Sequence, residues 1–249
     1  VIAAVAVLAS LAPVLSNSTA TAAPALATAA HVNEDSPDYS ACPGSSAAAA
    51  GFTDTTSTDV DCIKYHGVTQ GVTATTYEPD SSVPRWQMAL YLTRMATAAG
   101  VTLGSGADQG FTDISGQSAE IQTAVNQIKQ LGVTTGTTAT TYSPDDNVTK
   151  EQMAMFVERL LAKTPVGPGG QNDADALGLT LYINSTDIIT GNYNYDDIDS
   201  GAVTFEGHNA IVEMWQLGIT GDEKTVRAFS PSSDITRGQM ATWMTNALG

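Results

Sequence analysis

The chain has 249 residues, room for one large domain or several small ones, and its 10 Lys+Arg against 26 Asp+Glu give a formal net charge of −16. That charge repels phosphate backbones and anionic headgroups, so nucleic acid and anionic lipid surfaces are poor partners. The acidic, Thr-rich, Lys-poor composition suits an exposed extracellular protein.

In chain order, Val1 to Leu15 is an apolar run broken only by Ser10 and Pro13, and Ala20-Thr21-Ala22 follows with small-x-small spacing. Residues 1–22 therefore read as the apolar core and cleavage region of a secretory signal, truncated at its start, with a flexible leader over 23–50. About 15 apolar residues is short for a bilayer span, so no membrane insertion is expected after signal cleavage. The two cysteines, Cys42 and Cys62, form an even count, which in an exported chain suggests a disulfide. The CxxC spacing of zinc and redox sites is missing.

From residue 51 onward one order of signals occurs three times, over 51–100, 110–164 and 195–249, with a linker and insertion at 165–194. Each copy opens on an aromatic and an acid: Phe52-Thr53-Asp54, Phe111-Thr112-Asp113 and Tyr195-Asp196-Asp197. A first helix follows, with Val60, Ile63 and His66 on one face. Ile121, Val125, Ile128 and Leu131 hold that face in the second copy, and Ile211, Met214 and Leu217 in the third. It ends at Gly67, Gly132 or Gly218, where glycine supplies the left-handed conformation beyond a helix C-terminus. A Thr/Gly-rich loop then leads to Tyr77-Glu78-Pro79, Tyr142-Ser143-Pro144 or Phe229-Ser230-Pro231. Six residues past each proline stands a cation, Arg85, Lys150 or Arg237, followed after one residue by Gln-Met-Ala.

The second helix starts there. Thr149 with Gln152 and Thr236 with Gln239 have capping-box spacing, and Pro84 takes the threonine's place in the first copy. The apolar stripe runs Met88, Tyr91, Leu92, Met95, then Met153, Phe156, Val157, Leu160, then Met240, Trp243, Met244, Ala247. These stripes are core and imply no cofactor. One copy cannot bury its own stripe, so three copies should pack together, with the second helices as a central bundle and the first helices outside. The insertion contains Leu179-Thr180-Leu181-Tyr182-Ile183, expected as a short strand or a lid.

These residues resemble the S-layer homology (SLH) domain, which comes as three tandem copies. The resemblance covers about Gly51 to Gly249. It rests on the aromatic-x-Asp opening, the Leu-Gly-Ile/Val turn, the Tyr/Phe-x-Pro stretch and the Thr-Arg/Lys-x-Gln start of the second helix. Val148-Thr149-Lys150-Glu151-Gln152-Met153-Ala154 looks like the actinobacterial style of that motif. The resemblance implies a mainly α fold, a pseudo-threefold, three-lobed helical assembly. It also implies noncovalent anchoring at the cell wall or S-layer surface through an anionic, for example pyruvylated, cell-wall polysaccharide, with other surface-layer proteins as further partners. The family's cation contact carries onto Arg85, Lys150 and Arg237. The His-Trp pair that often opens the family's first helix is absent from all three copies, which removes an aromatic from the groove.

A cation at a helix N-terminus opposes the helix dipole, and three in register suggest an outside anion. The competing reading pairs each with a neighbouring acid, Asp80, Asp145 or Asp234. Trp86 is read as either a sugar-stacking face or a gap filler, and Trp215 as core or interface. Thr149 and Thr236 are candidate glycan contacts but first of all caps. His31, His66 and His208 lack metal-ligand spacing and are read as structural or exposed. Asp54, Asp113 and Asp197 are read as helix or turn caps, with calcium as the weaker alternative because no ordered Asp-x-Asp-x-Asp-Gly loop is present. No Gly-x-Ser-x-Gly, His-Glu-x-x-His or phosphate-loop pattern occurs, so the expectation is a binding protein without catalytic residues or cofactor. Two rivals stay open: a surface scaffold that binds protein partners without glycan, and a glycan-processing enzyme with its site in residues 172–194.

Overall fold

The computed structural model describes residues 41–42, 47–164, 193, 195–199, 201–220 and 227–249. The expected signal, most of the leader with His31, and nearly all of the linker and insertion, with Leu179–Ile183, lie outside the described residues.

Six helices and no strand longer than a single bridge occur among the described residues. They are α1 (Thr58–Tyr65), α2 (Arg85–Ala98), α3 (Ala119–Gln130), α4 (Lys150–Leu161), α5 (Phe205–Gln216) and α6 (Arg237–Leu248). The fold is mainly α, as expected.

Local chemistry sets the helix ends. The odd-numbered helices are capped by Ser57, Ser118 and Thr204, whose hydroxyls accept from Val60, Ile121 and Gly207 N–H. α4 and α6 start on the full capping boxes foreseen at Thr149/Gln152 and Thr236/Gln239. Pro84 is the residue before the first turn of α2 and makes no side-chain cap bond. Gly67, Gly132 and Gly218 all have positive φ. The N–H of the residue after each glycine donates back to the carbonyl five positions earlier, Val68 to Ile63 O, Val133 to Ile128 O and Ile219 to Met214 O. Val68, Val133 and Ile219 are fully buried there, so turn and core contact come together.

Each odd-numbered helix packs against the second helix of the preceding copy: α3 on α2, α5 on α4, and α1 on α6. The last pairing joins the two ends of the described chain. The second helices touch one another more lightly, through α4 with α6 and α2 with α4. The stripes foreseen on α2, α4 and α6 are buried at every position, and with the apolar residues of the odd-numbered helices they form one core. At its centre the three residues before the second helices' caps close a ring of main-chain bonds. Val83 N–H donates to Ile235 O at 3.3 Å, Ile235 N–H to Val148 O at 2.9 Å, and Val148 N–H to Val83 O at 2.9 Å. All three side chains are fully buried, so these amides have no water to turn to and the ring satisfies them.

The Cys42–Cys62 disulfide ties the chain upstream of α1 to that helix across a sequence separation of 20, as expected. Closing a loop of that size contributes about 3 kcal/mol.

Candidate functional site

The site is built where one copy's aromatic-x-Pro loop meets the previous copy's second helix. The loop is held first by the opening aspartate of its own copy. Asp54 accepts from Tyr77 N–H at 2.9 Å and Glu78 N–H at 2.7 Å; Asp113 accepts from Tyr142 and Ser143 N–H at 2.9 and 2.7 Å; Asp197 accepts from Phe229 and Ser230 N–H at 2.8 and 2.7 Å. The residues so held, Glu78, Ser143 and Ser230, have φ of 58°, 57° and 59°, a conformation that disfavours a side chain and that the carboxylate offsets. These aspartates are therefore loop clamps acting over more than twenty residues, not caps of the adjoining helices. Their oxygens accept from main-chain donors, and among the described residues none of the three belongs to a cluster of metal-ligating groups. The two N–H donors also hold the Asp54 carboxyl below the usual carboxylate range.

The clamped loop caps the previous copy's second helix. Arg85 and Trp86 N–H donate to Asp146 O and Pro144 O, Lys150 and Glu151 N–H to Ser233 O and Pro231 O, and Arg237 and Gly238 N–H to Ser81 O and Pro79 O. Helix N-termini that would otherwise attract an anion are thus satisfied by protein carbonyls.

The three cations differ. Arg85 and Arg237 are buried, with 3% and 2% exposure. Arg85 Nε donates to Tyr142 O at 2.7 Å and Nη1 to Gln152 Oε1 at 3.2 Å, with the guanidinium 4.7 Å from the Tyr142 ring centroid. Arg237 repeats this with Tyr77 O, with Gln87 Oε1 at 2.9 Å, and with the Tyr77 ring at 4.5 Å. Each tyrosine hydroxyl donates in return to the arginine's own carbonyl at 2.8 Å. Burial lowers the Arg85 pKa, against the pull of Tyr142, Asp146 and Asp113, and burial pushes the Tyr77 and Tyr142 hydroxyls up. A planar fork over an aromatic face suits this environment, because guanidinium is weakly hydrated and stacks. The partners are thus carbonyls, glutamines and ring faces rather than Asp80, Asp145 or Asp234.

Lys150 sits in the third such junction. Its Nζ donates to Phe229 O at 3.2 Å, and the residue is only half-buried. Phe229 has no hydroxyl to return the bond, and it stacks on Trp243 at 5.7 Å instead. An ammonium carries three donors, so one carbonyl leaves capacity for a ligand. Trp86 is half-buried at the start of α2; Trp215 is half-buried against the core with its indole nitrogen inside. Thr149 and Thr236 use their hydroxyls as caps.

An open cleft of about 570 Å³ lies between α2 and α3, lined by Leu90, Thr93, Thr97, Thr123 and Gln127 and flanked by His66 and Gly67. Arg94 pairs with Glu120 across it at 3.1 Å. None of Arg85, Lys150 and Arg237 lines it. His66 meets Ala41 O at 3.3 Å, and His208 is buried with Nδ1 2.9 Å from Ile198 O. Cys42, Cys62 and His66 place ligand atoms within 4.8 Å of one another, but both sulfurs are consumed by the disulfide. Of the acid run Asp196–Asp199, Asp196 pairs with Arg227, Asp197 clamps its loop and Asp199 accepts from Tyr193, so these carboxylates do not converge.

Clamp, loop and helix start recur at three places and form a modular helical scaffold. Residues 110–154 match the family model of the S-layer homology domain. That span runs from the Asp113 clamp to the first turn of α4 and includes Lys150. No curated protein sequence matches the chain.

Proposed function

We propose that the chain is a noncovalent cell-surface anchor that holds an anionic cell-wall polysaccharide and catalyses nothing. In this reading 51–100, 110–164 and 195–249 act as three SLH repeats of a pseudo-threefold, three-lobed assembly, secreted and retained at the wall. The observation that carries the proposal is the family match over 110–154, which takes in the one in-register cation of the three that is only half-buried. Lys150 is then the main glycan contact of the three, with Thr149 beside it. Arg85 and Arg237 act mainly by holding the loops.

Co-sedimentation with purified cell-wall sacculi tests this, using walls of actinobacterial type first. The native chain should pellet, and Lys150→Ala should stay in the supernatant with an unchanged circular dichroism spectrum. A native chain that never pellets overturns the anchor reading. The burial of Arg85 and Arg237 favours one second reading, a surface scaffold that recognises other surface-layer proteins without glycan. Pelleting that survives enzymatic removal of the polysaccharide but not of wall-bound protein would support that reading instead.

A further inference from the structure

Two glutamates lie inside the α4–α5 interface. Glu158 of α4 is 2% exposed and Glu213 of α5 is 4% exposed. An ionised carboxylate in such a place needs a cation or several donors, since burying an unpaired charge is strongly unfavourable. Among the described residues none is supplied to Glu158. With both groups ionised, neither oxygen of Glu158 finds a donor. Once one proton is present, Glu158 and Glu213 hydrogen-bond each other.

The cations on the surrounding helices are engaged elsewhere. On α4, Arg159 donates to Glu206 at 2.6 Å and to Val133 O at 3.1 Å, and it offsets the pair's charge only in part. On α5, Glu206 adds negative charge and His208 is turned to Ile198 O. On α6 the charged residue is Arg237, bound to Tyr77 O and Gln87; on α2 they are Arg85, bound to Tyr142 O, and Arg94, paired with Glu120. Lys150 at the head of α4 is turned to Phe229 O, and Glu151 is bound to Thr204.

We propose that Glu158 and Glu213 share one proton as a buried latch between α4 and α5, and that loss of this proton in alkaline solution loosens α5 from α4. Burial and the facing Glu213 carboxyl push Glu158 far above the usual range, to about 9. The sign of the linkage follows from that direction. Unfolded glutamate loses its proton in the ordinary carboxylate range, whereas the folded pair keeps one. Folding therefore takes up a proton between the two values. Stability falls as pH rises through that window and levels off above the folded value.

Infrared difference spectroscopy of the wild-type protein tests the proton directly. A protonated-carboxyl stretch should persist at neutral pH and vanish in both Glu158→Gln and Glu213→Gln. Thermal melts from pH 5 to pH 10 test the latch. The wild-type midpoint should fall with pH, and the Glu158→Gln midpoint should fall less and exceed the wild type above neutrality. Faster hydrogen exchange of α5 amides at high pH should appear in the wild type and not in the glutamine variant. Absence of the carboxyl stretch from wild-type protein at neutral pH overturns the proposal whether or not either variant folds. Parallel pH slopes for wild type and Glu158→Gln overturn it as well.

Discussion

The junctions built on Arg85 and Arg237 and the one built on Lys150 use the same backbone to different ends. All three have a clamped loop, a positive-φ residue and two loop carbonyls on the start of the previous copy's second helix. In the arginine junctions a guanidinium fork is buried over tyrosine and the tyrosine hydroxyl bonds back. In the lysine junction a single ammonium–carbonyl bond replaces the fork, and phenylalanine replaces tyrosine. Arginine at this position is thus a structural staple, because its planar donors match carbonyl, amide and ring at once. Lysine leaves donors over, and those are what a ligand can use.

Breaking a staple should have the largest effect. Arg237→Ala removes two hydrogen bonds and a ring contact and strands Tyr77 O, for a loss of about 3 kcal/mol in urea denaturation. Arg237→Lys should recover only part of it, since the fork cannot be rebuilt. Removing a clamp comes next. Asp113→Ala frees two main-chain donors and the positive-φ Ser143, at about 2 kcal/mol by the same measurement. The equivalent Asp54 adds a pH signature. Its lowered value means that its contribution is present above the unfolded aspartate range and is lost as pH falls through the folded value. An acid titration of unfolding should therefore be flatter in Asp54→Asn than in the wild type.

The comparison sharpens when the third junction is converted into the other two. Lys150→Arg with Phe229→Tyr should raise stability by about 1 kcal/mol, as the fork reaches Gln239 and the new hydroxyl reaches the carbonyl of residue 150. If Lys150 is the glycan contact, the stabilised double variant should also pellet less with sacculi. The smallest stability effect belongs to Lys150→Ala, about 0.5 kcal/mol or less, because a half-exposed lysine gives up one bond. A loss for Lys150→Ala as large as that for Arg237→Ala would erase the distinction between staple and ligand contact.

Much of the local architecture was legible in the sequence because it depends on neighbours in the chain. The period of Met88, Tyr91, Leu92 and Met95 and its two counterparts marked buried faces, Gly67, Gly132 and Gly218 marked helix ends, and Thr149 and Thr236 marked helix starts. The cysteine count pointed to the disulfide. Tertiary structure decided what depends on contacts across copies. Periodicity says that a stripe is buried but not against which helix, so the pairing of α1 with α6 and of each odd-numbered helix with the preceding copy was not readable. Asp54, Asp113 and Asp197 looked like caps because their true partners lie more than twenty residues away. Arg85, Lys150 and Arg237 stood in register as equals. Only the carbonyls, glutamines and rings gathered around them separate two buried forks from one half-buried lysine, just as only the packing of α4 on α5 turns two glutamates among many acids into a buried pair.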